Sequence, residues 1–456
     1  MPFALPRKWW IVLLALGAGV ALRLWFIQAY PEVQGDPLIY GSIAKNWMLH
    51  GVYGKTTSGT LEPTLIRLPG YPLFLMVCFK LFGMEHYHAV MFAQTAIDLA
   101  TCLLIAAFAC RIWSKRAAWV ALWLAVLCPF TANYSAVPLT ETLELFSISV
   151  ALYALARFLQ TGEAASPQWR WTLLQALAWS YAALLRPDGA LLAVALCPAM
   201  VWYGRRRWGM KRVIQHATAA TVLSVLPFVP WTIRNWRTFH VFEPLAPRYA
   251  TDPWEPTNPG FNRWTKTVCV DLACTWEVYW NFDSDVIDIT KLPARAFDSP
   301  EQYLQTKALL DDYNKTQSST PEMDDRFAQL AAERIHADPL RFYLLLPMAR
   351  LADMWLRPRT ELLWIELRWW EFQHHEGETI FAWAYAGLNV LYLLAALWGL
   401  RRWPPLAGAM LAFVLLRCAL LATIEAPEPR YTLECFPMVI ALAGIAFSPR
   451  RREATF

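Results

Sequence analysis

The chain has 456 residues, 57% of them hydrophobic and only 17% charged, against about 45–50% and about 25% in ordinary soluble domains. That balance excludes a soluble globular enzyme. The net charge of +5 does not point to nucleic acid either, because the cations sit in short clusters between apolar runs, as the positive-inside rule expects.

Several runs approach the ~20 residues that cross a ~30 Å hydrocarbon core, so the expected fold class is an all-α polytopic membrane protein. Arg7 and Lys8 precede a first helix at about 9–29. No small-residue cleavage site follows, so this helix is read as retained, with its start in the cytosol. Residues 38–49 place Leu38, Ile39, Ile43, Ala44, Trp47 and Met48 on one face, Ser42, Lys45 and Asn46 on the other, and Gly51 at the end. This predicts an amphipathic helix lying on the membrane. The run 71–82, between Pro72 and Gly83, is short for a crossing and is read as a second surface or re-entrant helix. Crossings are then expected at about 89–109, 117–134, 142–159, 171–185, 190–203 and 213–231.

Residues 234–340 are polar and form one long extracytoplasmic loop. Its first half reads as irregular. Its second half, about 300–336, reads as helical, with Leu304, Leu309, Tyr313, Phe327, Leu330 and Ile335 as apolar anchors. Residues 340–372 are apolar but studded with charges. They are read as surface helices, with a crossing at 340–356 left open. Three more crossings follow at about 379–400, 404–424 and 431–447. About ten transmembrane helices put both termini inside, together with Arg111, Lys115 and Arg116, the run RRRWGMKR at 205–212, Arg401 and Arg402, and Arg450 to Arg452. The organisation expected is an N-terminal membrane module (1–233) carrying a catalytic first outer loop (30–88), a loop with surface helices (234–375) and C-terminal membrane helices (376–456). Cys269 and Cys274 lie in the long loop, where a local disulfide and two reduced thiols stay equally open.

The chemistry concentrates in residues 36–72. Asp36 follows the first helix. It can accept a proton from a hydroxyl as that hydroxyl attacks a carbon, or simply cap the helix that follows. Arg67 offers a fork of donors suited to a phosphate diester, or to lipid headgroups. Glu141 lies on the same outer face. It can position an acceptor, share a divalent cation with Asp36, or complement a helix start. No cofactor is otherwise indicated, and no metal ligand set is assigned. The adjacent His374 and His375 point apart on a helix and make a poor metal site. Asp98 and Arg417 lie within apolar runs, where each needs a partner, either the other or another buried group.

Asp36 with Tyr40 and Ala44, the Gly51-Val52-Tyr53 turn and RLPGYPLF at 67–74 resemble the first outer loop of GT-C glycosyltransferases, nearest to bacterial protein-mannosyltransferase/aminoarabinose-transferase-like enzymes. PLTET at 138–142, PWTIRNW at 230–236 and EPRYTLECFP at 428–437 resemble that family in order and placement. The resemblance implies a polyprenyl-phosphate-linked sugar donor and a lipid, glycan or protein acceptor. It also implies catalysis on the extracytoplasmic face of the cell inner membrane, with Asp36 serving the acceptor hydroxyl and Glu141 in the same site. Arg67, Arg234 and Arg430 stand at outer helix ends where they can meet the leaving phosphate, and Tyr40, Lys45, Tyr71 and Tyr431 fall in the same stretches as substrate contacts. Asp36-Pro37 departs from the Asp-Glu of protein mannosyltransferases and speaks against protein O-mannosylation. The rival from another class is a transporter or lipid flippase, which favours inverted repeats and polar residues at the midplane; the sequence displays no convincing repeat. A non-catalytic scaffold would make Asp36 dispensable.

Overall fold

The structure, a computed structural model, describes residues 9–160, 168–371 and 376–449. Arg7, Lys8, His374, His375 and Arg450 to Arg452 lie outside the described residues. The main elements are α1 (Trp9–Ala29), α2 (Asp36–His50), the hairpin β1 (Gly54–Thr57) and β2 (Thr60–Pro63), α3 (Gly70–Phe82), α4 (Tyr87–Ile112), α5 (Lys115–Val126), α6 (Glu141–Gln160), α7 (Gln168–Leu185), α8 (Leu191–Trp208), α9 (Met210–Val225) and α10 (Phe228–Phe239). They continue with α11 (Pro259–Val268), α12 (Pro300–Thr316), α13 (Pro321–Ala337), α14 (Leu346–Leu356), α15 (Glu376–Leu400), α16 (Ala407–Leu421) and α17 (Phe436–Ala446).

Among the described residues, six helices are long and apolar enough to cross a membrane: α1, α4, α6, Pro187–Trp208, Met210–Phe239 and α15. A seventh arises if α5 and Pro129–Ala136, bent by 52° at their break, count as one span. The other expected crossings coincide with α7, with α16 at 15 residues and with α17 at 11 residues. α16 and α17 fall short of the length a straight crossing needs. Helices form at both stretches expected to lie on the membrane, as α2 and α3, and α2 ends at Gly51 in the left-handed conformation (φ 66). The expected faces of α2 are not kept: Leu38 is exposed, and Asn46 is buried because it donates to the Gly54 carbonyl and to Thr56 of the hairpin.

The chain divides into two compact units. The first comprises Met1–Trp254, Val390–Leu416 and Leu433–Phe456. Its core is a bundle in which α4 packs on α5 and α6, α6 on α7, and α17 on α5. Arg23 of α1 is fully buried there. Its guanidinium meets Asp98 of α4 at 2.5 Å and donates to the carbonyls of Gly19 (2.9 Å) and Val126 (2.7 Å). The carboxylate that needs a partner thus finds it in α1. Arg417 belongs to the second unit, where it donates to the carbonyl of Tyr431.

The second unit comprises Glu255–Asn389 and Arg417–Thr432. The stretch expected to be helical splits into α12 and α13, each with a side-chain cap: Ser299 and Thr320 accept from the backbone of Gln302 and Met323, with Pro300 and Pro321 in the first turn. Leu309, Tyr313, Phe327, Leu330 and Ile335 are buried, whereas Leu304 is 63% exposed and is not an anchor. The chain stays irregular up to Asn258, after which α11 contributes Phe261 and Trp264 to an aromatic core with Phe282, Tyr313 and Phe327. Cys269 and Cys274 form a disulfide.

Candidate active site

Asp36 is the first residue of α2. The capping position belongs to Gly35, so the Asp36 carboxylate is available to other partners. It accepts from Arg67 Nη2 at 2.6 Å, with both side chains partly exposed. Arg67 stands over the Tyr40 ring, 5.7 Å from its centre, and Tyr40 meets Tyr71 edge-on at 5.1 Å. Tyr71 donates to Gln94 Oε1 at 2.6 Å, and Gln94 in turn donates to the carbonyl of Val137. This chain of contacts ties the loop to α4 and to the segment leading into α6.

The backbone around Arg67 is held from several sides. Tyr53 Oη donates to the Arg67 carbonyl at 2.8 Å. Arg234 of α10 donates to the carbonyls of Thr64 (2.7 Å) and Tyr53 (2.5 Å), closing the base of the hairpin. The buried Asp252 carboxylate accepts from Thr64 Oγ1 (2.8 Å) and the Leu65 amide (2.9 Å), and pairs with Lys55 at 3.3 Å. Gly70 approaches the Leu184 carbonyl so closely that a Cβ there would stand 2.6 Å from the oxygen. Any side chain at that position would drive the Pro-Gly turn off the end of α7.

Beside this loop is a second charged assembly. Glu141 opens α6 and Glu144 lies one turn on; both are buried. Arg186, at the end of α7, lies 3.7 Å from Glu141, 3.6 Å from Glu144, 3.4 Å from Asp188 and 3.9 Å from Glu434. Burial works against the Arg186 charge, but Asp188, Glu144, Glu434 and Glu141 outweigh it and hold the guanidinium more firmly protonated. Tyr40 connects the two assemblies. Burial pushes its hydroxyl up to about 12, and the group feels Arg67, Asp36, Arg186 and Glu141. Tyr40 is therefore a proton donor at neutral pH, not a base.

Asp36, Tyr40, Arg67 and Tyr71 come together as one contact chain, and Glu141 joins through Arg186 and the field at Tyr40. Lys45 instead pairs with Glu85 at 2.7 Å on an exposed face. The Arg234 donors point at the Thr64 and Tyr53 carbonyls and at Asn235 Oδ1. Arg430 and Tyr431 lie in the second unit, both on Glu428, at 2.7 Å and 2.5 Å. Among the described residues, no group of three or more His, Cys, Asp or Glu side chains is arranged to hold a metal ion. Sequence reasoning missed Arg186, Asp188, Glu144, Glu434 and Asp252 as parts of the site and of its support. Glu434 lies inside the EPRYTLECFP stretch, and Glu144 follows Glu141 by one helical turn. Those were the signals available; Asp252 has none.

Residues 63–231 match a family model described as dolichyl-phosphate-mannose-protein mannosyltransferase. Among solved structures, the archaeal oligosaccharyltransferase AglB from Archaeoglobus fulgidus, in complex with an inhibitory peptide and a dolichol-phosphate, aligns at TM-score 0.53 and 11% identity, covering 97% of this chain and 50% of AglB. The fold is that of the GT-C glycosyltransferases. An Archaeoglobus fulgidus oligosaccharyltransferase tethered with an acceptor peptide containing the NVT sequon aligns at TM-score 0.53 and 14% identity, over 97% of this chain and 50% of that one. ArnT from Cupriavidus metallidurans bound to undecaprenyl phosphate aligns at TM-score 0.43 and 15% identity, over 96% and 77%. The chain spans half the length of AglB. No curated protein matches it. Within this GT-C fold, the matched stretch 63–231 contains Arg67, Glu141 and Arg186 but not Asp36.

Proposed function

We propose that the protein is a membrane glycosyltransferase that moves a sugar from a polyprenyl-phosphate-linked donor to an acceptor hydroxyl, with inversion at the anomeric carbon. The observation that carries this reading is the Asp36 carboxylate on Arg67 at 2.6 Å, at the start of a surface helix and beside the Glu141–Arg186 assembly. The GT-C fold and the dolichol-phosphate bound to AglB support a lipid phosphate as the leaving group.

The acceptor oxygen attacks the anomeric carbon, its proton passes to Asp36, and the bond to the lipid phosphate breaks with the electron pair leaving on the phosphate oxygen. Asp36 is too weak a base to deprotonate an alcohol beforehand. It acts as the new bond forms, so its contribution belongs to the transition state. Arg67 meets charge developing on the phosphate, Tyr40 holds the Arg67 guanidinium from below, and Glu141 orients the acceptor. The reading places ten helices across the inner membrane, with the site and the 234–375 loop on the extracytoplasmic face. The Cys269–Cys274 disulfide supports that orientation, since such bonds persist in oxidising compartments.

The test is transfer by the purified full chain in vesicles, offered a panel of polyprenyl-phosphate hexoses and pentoses with labelled sugar, together with lipid, glycan and peptide acceptors that carry free hydroxyls. Donor-dependent release of polyprenyl phosphate is expected with at least one member. A folded chain that consumes none of them argues against the reading.

A further inference from the structure

Within the second unit, Thr275–Tyr279 form a single wide helical turn, in which the Trp280 amide donates to the Thr275 carbonyl at 3.0 Å, five residues back. Such turns are rare and concentrate at functional sites. This one displays two indoles. Trp276 is 46% exposed and Trp280 36%, and their rings meet edge-on with centres 4.6 Å apart. The support beneath them is firm. Thr275 and Val278 are buried, the Cys269–Cys274 disulfide closes the chain immediately before, and Asn281 Nδ2 donates to the Glu277 carbonyl at 3.2 Å. The same turn carries a polar fork. The Glu277 carboxylate accepts from Arg368 Nε at 3.1 Å and from Nη2 at 2.5 Å, and both side chains keep part of their surface exposed. Arg368 is held in place by the Lys291 carbonyl at 2.8 Å. Each Glu277 oxygen retains a lone pair for a further donor.

We propose that Trp276 and Trp280, with the Glu277–Arg368 pair beside them, form a binding site for a saccharide free of acid groups. Size, charge and chemistry name that ligand. A fully covered Trp buries about 150–250 Å², so two partly exposed rings offer far less than the ~800 Å² per side of a stable protein complex. Residues 276–291 carry Glu277, Asp283, Asp285 and Asp288 against Lys291, and the three aspartates are exposed. With Glu277 matched by Arg368, the surface stays acidic. It repels acidic sugars, and also anionic lipid headgroups, which call for clustered cations. A pyranose ring combines an apolar C–H face with a rim of hydroxyls. The indoles can cover the first, and the planar carboxylate–guanidinium pair can accept from and donate to adjacent hydroxyls. Rings held in place beforehand lose little freedom on binding. This inference rests on the second unit alone and not on the proposed transfer reaction.

The test uses the full chain in phosphatidylcholine nanodiscs, titrated by saturation-transfer NMR with four trisaccharides: those of glucose, N-acetylglucosamine, glucosamine and galacturonic acid. At least one of the first three is expected to bind, and the galacturonic acid trimer at least tenfold more weakly. Trp276→Ala and Trp280→Ala should each weaken binding at least tenfold. Their melting temperatures should stay near the parent's, since both rings are exposed. Trp364→Ala, which removes an exposed indole outside the turn, should leave affinity within twofold. Binding of none of the first three, or binding that survives both substitutions in the turn, would overturn the site. Tighter binding of the galacturonic acid trimer would overturn the assigned ligand. Adducts of a photoreactive phosphatidylglycerol on both indoles would assign them to lipid and overturn the proposal as well.

Discussion

Arg23 and Arg186 both face carboxylates inside the first unit, in opposite ways. Arg23 has one carboxylate, Asp98, and two backbone carbonyls, all within 3 Å. Its charge is matched one to one, and the pair joins α1, α4 and α5. Arg186 stands among four carboxylates at 3.4–3.9 Å. Several carboxyl groups share one guanidinium there, beside the partly exposed Asp36–Arg67 pair. A matched, saturated ion pair is what a scaffold needs. Crowding acidic groups round one cation is costly to fold around and is expected where a site serves a reaction.

Breaking the matched pair should have the largest effect on stability. Arg23→Ala leaves Asp98 buried and alone, and should cost about 3–5 kcal/mol in thermal or denaturant unfolding. Replacing both partners, Arg23→Met with Asp98→Leu, should recover most of that. A cost below about 1 kcal/mol for Arg23→Ala would mean that water reaches the pair and that the contrast with Arg186 is not real.

Arg186→Met should sharpen the comparison from the other side. Transfer is expected to fall by roughly 10²–10³, with Arg186→Lys recovering part of it because the charge is restored without the planar fork. Unchanged transfer in Arg186→Met would make the cluster a structural feature only.

The supports of the loop should matter less. Arg234→Met removes the donors to the Tyr53 and Thr64 carbonyls, and Asp252→Asn weakens the hold on Thr64 and Leu65. Each should cost about 1–3 kcal/mol. The smallest effect is expected from Lys45→Ala. Its pair with Glu85 is exposed and should contribute about 0.5 kcal/mol or less. A large loss of transfer in that variant would return Lys45 to the substrate.

Much of this is legible in the sequence. Apolar runs bounded by basic clusters give the long helices, Gly51 gives the end of α2, and the short run before Gly83 gives α3. The hairpin is not legible there, although its Ser58-Gly59 turn lies between the paired Thr57 and Thr60. Strands of four residues carry too little alternation to stand out. Arg186 and Glu434 come from distant parts of the chain, and nothing in the local pattern of either predicts that they meet. Arg234 teaches the same limit. Its place at an outer helix end suggests a phosphate ligand, but which acceptor a guanidinium finds depends on the loop folded against it. The sequence also marks 340–356 as apolar with embedded charges. Only the packing tells which of the two faces inward.

The central claim is that the Asp36 carboxylate takes the acceptor proton, and it is tested most directly by measuring transfer and thermal stability together on purified Asp36→Asn. Gly35 holds the capping position of α2, and asparagine keeps the shape and part of the contact to Arg67. The account therefore predicts a folded variant with a melting temperature near the parent's and a transfer rate lower by about 10²–10⁴. A folded Asp36→Asn that transfers sugar at close to the parent rate would contradict it.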